Sequence, residues 1–443
     1  MQELTRYRTL FALAVLPVAA AGAQLPVADT LRQISLQEAV SLAQRNAPAA
    51  VQARGALRTT SSSVRSLYGS FVPSLSASAG QNKQASQRFD ALRNEVINSN
   101  SPWNYNAGLN ANLELFDGGR RFNDLRARRA DVDAAEANET SVKYSVALQV
   151  KTQYANVLAA RESEASARAQ LEQAQAALRA SVARVTAGAA TVSDSLRSAI
   201  SVGNARLAIL TAQNSIRVAS ATLTRLVGTP FMVTANPADT ANFSIVPFDS
   251  LGVFKLALQG PAVRQAELSL SAATASERSS KSTYMPRITM SYGYSGSGTD
   301  PYGFGSDTTK RFLYGSSLGF SASFPLFNNF TREDNVLRAK VTHDNAAAQL
   351  REARLLAQQN IVQQMGALRT AEERIQIQQA SVAAAQEDLR VQNQRYTLGA
   401  STLLDLLTSQ SQLNQARAAL IQARQDYRIA RAQIEAVIGR DLQ

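Results

Sequence analysis

The residues best placed to do chemistry are two aspartates in two similar segments of the chain. Asp194 ends the segment RVTAGAATVSD, and Asp405 ends the segment RYTLGASTLLD. Each aspartate follows a threonine by three residues, Thr191 or Thr402, which is the spacing of a helix capping box. Several carboxylates around a narrow constriction would instead favour cations and resist anions. The spacing leaves both interpretations open, and both can hold at once.

Other side chains that catalyse reactions or bind metals are scarce. The 443 residues include no cysteine and one histidine, His343, which lies in a polar helical stretch typical of a solvated surface. The absence of cysteine excludes disulfides, cysteine-ligated zinc and thiol nucleophiles. A Ser-His-Asp triad would have to use this single histidine. We therefore expect no enzyme activity, no cofactor and no metal site.

The positive charge does not indicate nucleic-acid binding. The net charge is +12, but the basic residues are spread along predicted helices among acidic ones. No aromatic stacking motif or recognition helix accompanies them. The one basic cluster, between Arg120 and Arg129, directly follows a predicted strand, and we expect a solvated or headgroup-contacting collar there.

The N-terminus has the pattern of an export signal. Arg6 and Arg8 precede a short apolar run, Leu10 to Ala20, which ends in small residues. This arrangement predicts a secretory signal peptide over residues 1–23, cleaved after Ala23. The expected destination is the bacterial cell envelope.

The remainder of the chain contains an internal tandem repeat. Gly188 recurs as Gly399, 211 positions later, and Pro73 recurs as Pro286, 213 positions later. A repeat of this length predicts two similar structural units joined by a connection. The connection contains several prolines and no clear period, and we expect it to wrap the helices as an equatorial linker. The predicted units and linker are 24–228, 255–443 and 229–254.

Each repeat contains two segments in which apolar and polar residues alternate. Between Asn104 and Phe116 the odd positions up to 115 are apolar, and the even positions are polar or glycine. Alternation predicts strands with one apolar and one polar face. Their length, their Asn and Ser residues and the export signal favour transmembrane β-barrel strands over a soluble sandwich. The predicted strands are 74–82, 103–116, 287–296 and 311–326.

Four strands are too few to close a barrel. Open strand edges are not tolerated in lipid, so the chain must oligomerise to complete the barrel. Barrels of eight, twelve or sixteen strands all satisfy this requirement.

Two very long helices follow the strands of each repeat. Val202, Ile209 and Ile216 illustrate the spacing of seven that is typical of coiled coils. A glycine, Gly188 or Gly399, suits the left-handed turn that ends the first helix of each pair. A solid helical stalk has the same pattern, but a polar-lined barrel favours a hollow tunnel. The predicted helices are 119–187, 191–227, 330–398 and 402–438.

The repeated helix–strand–strand–helix unit, the two glycine turns and the segment FDGG that closes a strand at Phe116 resemble the TolC-type outer-membrane efflux family. The resemblance implies a mainly α fold with transmembrane β structure, in which three chains form a twelve-stranded barrel continued by a coiled-coil α-barrel. It implies a homotrimer in outer-membrane lipid, with its tunnel in the periplasm, that exports small molecules. It also implies a periplasmic adaptor and an inner-membrane pump of the RND, ABC or MFS type.

The resemblance further implies roles for residues at the turns. Asp194 and Tyr396 match a pair that links the gate. Ser401 stands where the best-known members have an arginine, and Thr408 stands where some members have a second acid. The implied constriction and gate residues are Asp405, Asp194, Tyr396, Ser193 and Thr408, and the implied adaptor-docking tips are Ala187, Gly188, Leu398 and Gly399.

The sequence leaves two alternative functions open. The same architecture serves as the outer-membrane conduit of type I protein secretion. A trimeric coiled-coil adhesin or structural stalk is a different class of protein. That class would place a barrel segment at one end of the chain, whereas here predicted strands occur in both halves.

Overall fold

The computed structural model describes residues 31–90, 92, 94–100, 103–241, 250–299 and 312–442. The predicted signal peptide lies outside these residues, as do residues 242–249 of the linker and the first residue of the predicted strand 311–326. Within the described ranges, no helix combines the length and the hydropathy that crossing a membrane requires.

Helices form most of the structure, and strands form one larger sheet and two strand pairs. The helices are α1 Leu36–Asn46, α2 Pro48–Gly69, α3 Arg120–Thr186, α4 Val192–Val227, α5 Ala238–Ala241, α6 Ser250–Ala257, α7 Pro261–Lys281, α8 Thr331–Thr397 and α9 Leu403–Ile438. The strands are β1 Arg32–Ile34, β2 Ser74–Asn82, β3 Ala85–Asp90, β4 Glu95–Asn100, β5 Asn104–Phe116, β6 Val233–Ala235, β7 Arg287–Gly298 and β8 Leu313–Ser323.

The first described helix begins at a capping residue, as its sequence predicts. The Ser35 hydroxyl accepts a hydrogen bond from the Glu38 amide at 3.2 Å, while the Glu38 carboxylate pairs with Arg32 at 3.4 Å. This helix ends at Asn46. The chain breaks at Ala47 and restarts as α2 at Pro48, because a residue before proline avoids helical geometry.

The four-stranded sheet has the order β2-β5-β7-β8, and all its pairings are antiparallel. The β5–β7 pairing joins the strands of the two halves of the chain. Strands β2 and β8 are the free edges of this sheet.

The register of the sheet aligns polar residues with polar residues across all four strands. Asn110 lies opposite Ser76 on one side and Gly293 on the other, and Gly293 lies opposite Ser317. The adjacent row is apolar, since Ala111 lies between Leu75 and Tyr292, and Tyr292 pairs with Leu318. Because opposed residues share a face, the sheet has one continuous polar face and one continuous apolar face. Ser316, opposite Tyr294, and Gln81, opposite Tyr105, interrupt the apolar face, and Leu313, opposite Ser297, interrupts the polar face.

Two strand pairs have no counterpart in the sequence prediction. Strands β3 and β4 form an antiparallel hairpin between β2 and β5, in a mostly polar segment without clear alternation. Strands β1 and β6 pair in parallel. Every residue of β6 is buried, with Val233 and Ala235 at 0% exposure, so this part of the linker belongs to the protein core.

The long helices pack side by side in one layer. Helices α3 and α8 have 67 residues each and α4 and α9 have 36 each, so at about 1.5 Å per residue the longer ones span about 100 Å. Helix α3 packs along α2 and α4 on one flank and along α7 and α9 on the other, and α8 packs along α7 and α9. The order is therefore α2/α4, α3, α7/α9, α8, which leaves α2/α4 and α8 as the outer members. These flanks continue the sheet edges β2 and β8.

Each half has its own hydrophobic core near the middle of the long helices. Ile34, Val150 and Leu223 belong to the first core, and Ile361 and Ile434 belong to the second. Ion pairs connect the halves, because the Lys151 ammonium lies 2.6 Å from the Glu435 carboxylate and 2.8 Å from that of Asp441.

The junction between the sheet and α3 is held by a buried ion pair. The side chains of Asp117 and Arg121 are 4% and 9% exposed, and their charged groups lie 3.0 Å apart. The Arg121 guanidinium also donates to the Ser70 carbonyl at 2.9 Å and lies 4.9 Å from the centre of the Phe71 ring. For Arg121, the expected solvated or headgroup-contacting position is wrong, because this arginine lies within the protein and connects α2 to α3.

The equivalent junction in the second half differs in chemistry. Arg332, at the position of Arg121, lies 5.0 Å from the centre of the Tyr284 ring and donates to the Pro325 carbonyl at 3.0 Å. Asn328 occupies the position of Asp117, so no carboxylate pairs with the arginine from there. Gly118 and Gly119 have φ of +71° and +81°, and Asn329 and Phe330 adopt the same left-handed conformation at +54° and +60°. The equivalent positions in the two halves are 117 and 328, 118 and 329, 119 and 330, and 121 and 332.

Candidate functional site

The two helix pairs end in turns with nearly identical backbone geometry. Gly188 and Gly399 adopt φ of +72° and +77°, in the left-handed region that favours glycine. In each turn the amide after the glycine donates to an arginine carbonyl 2.8 Å away, that of Arg184 in the first turn and Arg395 in the second. The matching sequences therefore form matching turns.

Both turn aspartates cap helices, which confirms the structural interpretation of their spacing. Asp405 accepts from the Thr402 amide at 3.0 Å and from its hydroxyl at 2.7 Å, and the Asp405 amide donates back to that hydroxyl at 3.2 Å. Asp194 accepts from the Thr191 amide at 3.2 Å. These hydrogen bonds cap the N-termini of α9 and α4.

The Asp405 carboxylate is exposed as well as hydrogen-bonded. The hydrogen bond from the Thr402 amide lowers its pKa, and the Thr402 hydroxyl and the nearby Arg395 charge act in the same direction. Asp405 therefore keeps its negative charge at pH values below the range in which aspartate ordinarily titrates. Leu404 and Thr408 are also exposed, one residue before and three residues after Asp405. A solvent-facing carboxylate with these neighbours can attract cations, which is the chemistry predicted for a constriction.

Tyr396 lies in a small apolar cluster beside the second turn. The residue is 4% exposed and packs with Leu403 and Leu406. Its hydroxyl is buried without a hydrogen-bond partner among the described residues. Asp194 caps α4 and makes no hydrogen bond to this hydroxyl among the described residues, and the link between Asp194 and Tyr396 at the gate stays a prediction.

The structure adds Arg184, whose contact across the two turns the sequence did not predict. The Arg184 guanidinium donates to the Tyr396 carbonyl at 2.5 Å and lies 4.6 Å from the centre of the Tyr396 ring. It also donates to the Ala189 carbonyl of its own turn at 3.4 Å. The sequence shows an arginine at the same place in both turns. Sequence similarity does not reveal which of the two arginines contacts the other helix pair.

A cavity of about 530 Å³ lies beside Tyr396, between α3 and the pair α8/α9. Small side chains of α3, including Ala176, Ala177 and Ala180, form one wall. Arg390 and Arg417 are among the residues of the opposite walls. The two helix pairs are therefore incompletely packed against each other just before their turns.

The predicted adaptor-docking residues all lie at the surface of the turns. Ala187, Gly188 and Gly399 are exposed, and Leu398 is 83% exposed. Ser193 is also exposed, near the start of α4. Within the described part of the chain, no group of His, Cys, Asp or Glu side chains is suited to hold a metal ion.

The chain matches one protein family over most of its length. A sequence profile described as "Outer membrane efflux protein" matches residues 39–229 and again residues 254–440. Protein CyaE of Bordetella pertussis is 29% identical over 404 residues, which cover 88% of this chain and 81% of that protein. The pyoverdine export outer membrane protein OpmQ of Pseudomonas aeruginosa is 26% identical over 359 residues, covering 80% of this chain and 74% of OpmQ.

Solved channel structures share the fold. A crystal structure of CusC superimposes with a TM-score of 0.78 at 18% identity, covering 93% of this chain and 94% of CusC. The open state of the MtrE outer membrane channel of Neisseria gonorrhoeae gives a TM-score of 0.75 at 21% identity, covering 92% and 89%. The chain therefore belongs to the outer membrane efflux protein family, a family of channels rather than of enzymes.

Proposed function

We propose that three copies of this chain form a passive export duct, with a twelve-stranded barrel in the outer membrane and a helical tunnel in the periplasm. The observation that carries the proposal is the four-stranded sheet with one polar face, one apolar face and two free edges. The polar face would line water and the apolar face would contact lipid. The attached helices are long enough to extend the duct by about 100 Å.

The free flanks of the chain support self-association. Helix α4 exposes Ile200 and Leu207, seven residues apart, and α8 exposes Leu355 and Val362 at the same spacing. Each of these side chains is about 60% exposed, on helices at opposite flanks of the layer. Apolar stripes with a heptad spacing are typical of surfaces that pack against another helix. The flanks of one copy would pack on the next, while β8 of one sheet would pair with β2 of its neighbour.

The copy number of three comes from the resemblance to TolC-type proteins. In that arrangement the exposed turns would face the periplasm and dock a periplasmic adaptor, which would connect the duct to an inner-membrane pump. Asp405, Asp194, Tyr396, Ser193 and Thr408 would then surround the entrance. The name of the related OpmQ, a pyoverdine export protein, supports small molecules as cargo.

Disulfide scanning tests the assembly directly, because the native chain has no cysteine. A cysteine at Ser78 on edge strand β2 is combined in turn with cysteines at Gly315, Ser317 and Gly319 on edge strand β8. Oxidation should produce covalent dimers and trimers for at least one pair. A cysteine at Asn110, on interior strand β5, is the matched control and should give none with the same partners. A ladder extending to four or more copies would exclude the trimer.

Conductance measurements test the transport role. Purified protein inserted into planar lipid bilayers should form water-filled channels, because the barrel and the tunnel would be continuous. A protein that assembles but never conducts ions would contradict the proposal of a duct.

A further inference from the structure

We propose that Glu373 on α8 pairs with Arg217 on α4 of the neighbouring copy, and that this ion pair sets the register in which two copies of the chain join. The inference rests on the proposed function, in which the flanks of neighbouring copies meet. It goes beyond that function by naming the charged residues that recognise each other across the joint.

The internal repeat duplicates both members of one ion pair. Glu162 on α3 recurs as Glu373 on α8, and Arg217 on α4 recurs as Arg428 on α9, each 211 positions later (373 − 162 = 428 − 217 = 211). Helices α3 and α8 are equivalent elements of the two halves, and so are α4 and α9. The chain therefore carries two equivalent glutamates on its longest helices and two equivalent arginines on the helices that follow them.

One of the two pairs forms inside the chain. The Arg428 guanidinium lies 3.6 Å from the Glu162 carboxylate, where α9 of the second half packs along α3 of the first half. The two side chains are 19% and 14% exposed, so the packed helices shield the pair from most of the solvent. This ion pair belongs to the joint between the two halves of one copy.

The other two members lie on opposite flanks of the chain. Glu373 and Arg217 are both exposed, and neither belongs to an ion pair in the described part of the chain. Helices α8 and α4 are outer members of the helical layer, on opposite sides. The acid and the base are therefore placed to meet residues of different neighbouring copies.

The joint inside the chain is a template for the joint between copies. In a closed ring, α2 and α4 of the next copy would follow α8, just as α7 and α9 follow α3 within one chain. Because the repeat makes these steps equivalent, Glu373 would lie beside Arg217 of the next copy as Glu162 lies beside Arg428. Opposite charges would thus meet at this height of the joint.

A second contact at a different height supports the same register. The Ser279 hydroxyl of α7 donates a hydrogen bond to the Asp124 carboxylate of α3. The equivalent residues are Ser66 on α2, 213 positions earlier, and Asn335 on α8, 211 positions later, and both are exposed. Serine and asparagine can also form a hydrogen bond with each other. The register that pairs Glu373 with Arg217 therefore also places two polar groups together nearer the sheet.

The two joints differ where the internal one contains its buried ammonium. Lys151, which pairs with Glu435 at 2.6 Å, is replaced at the equivalent position of α8 by Val362, which is 63% exposed. Thr224 stands at the position of Glu435. This part of the joint between copies would contain no charge, so Glu373 and Arg217 would supply the charge complementarity along this part of the flanks.

Chemical cross-linking tests the contact, because the native chain has no cysteine. Glutamate and arginine side chains hold two backbones too far apart for a disulfide, so a short bismaleimide is the probe. The full-length protein with Glu373→Cys and Arg217→Cys should give covalent dimers and trimers. The matched control combines Glu373→Cys with Arg206→Cys, an exposed position 11 residues earlier on α4 (217 − 206 = 11), about 16 Å along the helix. The control should give far fewer products.

Charge reversal tests whether the pair recognises charge as well as position. In conditions that dissociate half of the wild-type trimers, Glu373→Arg and Arg217→Glu should each raise the ratio of monomer to trimer roughly tenfold, because a like-charged pair then occupies each of the interfaces. The two reversals in one chain should restore the wild-type ratio. Glu373→Arg combined with Arg206→Glu has the same net charge and should not restore it.

The results separate failure of the pair from failure of the duct. Equal cross-linking through residues 206 and 217, a double reversal no better than either single one, or equal rescue by Arg206→Glu would each overturn the pair while leaving a trimeric duct in place. A wild-type protein that stays monomeric in detergent and in lipid would overturn the proposed assembly and the pair together.

Discussion

Replacing Asp117 by asparagine tests whether a buried ion pair holds the sheet to the first long helix. The Asp117 carboxylate accepts from the Arg121 amide at 2.9 Å, from its guanidinium at 3.0 Å and from the Gly119 amide at 3.1 Å. The substitution keeps the shape of the side chain but removes its charge. The Arg121 guanidinium then stays 9% exposed without a counter-ion.

Removing one partner of a buried pair typically costs about 3–5 kcal/mol, and we expect about 3 kcal/mol because the asparagine oxygen can still accept one hydrogen bond. At about 2.1 cal/mol/K per residue, a chain of 443 residues unfolds with an entropy of about 0.9 kcal/mol/K. The melting temperature should therefore fall by about 3 °C. Thermal unfolding of the purified protein in detergent, followed by circular dichroism, measures this change.

The second half of the chain supplies the matched control. Asn328→Asp places an acid opposite Arg332, whose Nε is buried without a hydrogen-bond partner among the residues that the structure describes. This variant should be neutral or stabilising by up to about 1 kcal/mol, since it adds an ion pair to an existing arginine. If Asp117→Asn lowers the melting temperature no more than Asn328→Asp does, the buried ion pair does not stabilise the junction.

Three further predictions concern the constriction, the sheet and the strand–helix connections. Asp405→Asn should reduce cation over anion selectivity in reversal-potential measurements. In the wild type that selectivity should persist as the pH falls through the range in which aspartate ordinarily titrates and be lost only below that range, because a lowered pKa keeps the carboxylate ionised. Leu318→Lys should cost about 2–4 kcal/mol in equilibrium unfolding from detergent, whereas Ser317→Lys on the polar face should be tolerated. Asn329→Gly should stabilise the protein by about 0.5 kcal/mol in the same assay, because glycine adopts a positive φ without strain.

Each of these predictions has an outcome that contradicts it. Unchanged selectivity in Asp405→Asn would dismiss the carboxylate ring. Loss of selectivity within or above the range in which aspartate ordinarily titrates would contradict a lowered pKa for Asp405. Equal costs for lysine at residues 317 and 318 would contradict a two-faced sheet in lipid. The reciprocal control for Asn329→Gly is Gly118→Ala, which should be strongly destabilising because a Cβ there would lie 2.6 Å from the Ser282 carbonyl oxygen.

Local sequence periodicity was sufficient to predict the longest helices and strands. Alternation marks the residues of β5, and the proline-free, heptad-spaced stretches mark the four long helices, because both periodicities follow from backbone geometry alone. The turn aspartates were recognised as caps for the same reason, since a capping box requires only residues three positions apart. The β3–β4 hairpin was missed, because it lies in a polar segment without clear alternation.

Contacts between distant residues could be decided only by the tertiary structure. Identical arginines in the two turns differ in role because only Arg184 faces the end of another helix, 212 positions along the chain. Arg121 belonged by sequence to an exposed basic cluster, yet the approach of α2 and the Asp117 carboxylate bury it. Likewise, the buried strand β6 depends on Ile34 and Leu223 packing around it, which no local period encodes. Sequence periodicity determines elements, whereas the free energy of burying and pairing charged groups depends on what the fold brings beside them.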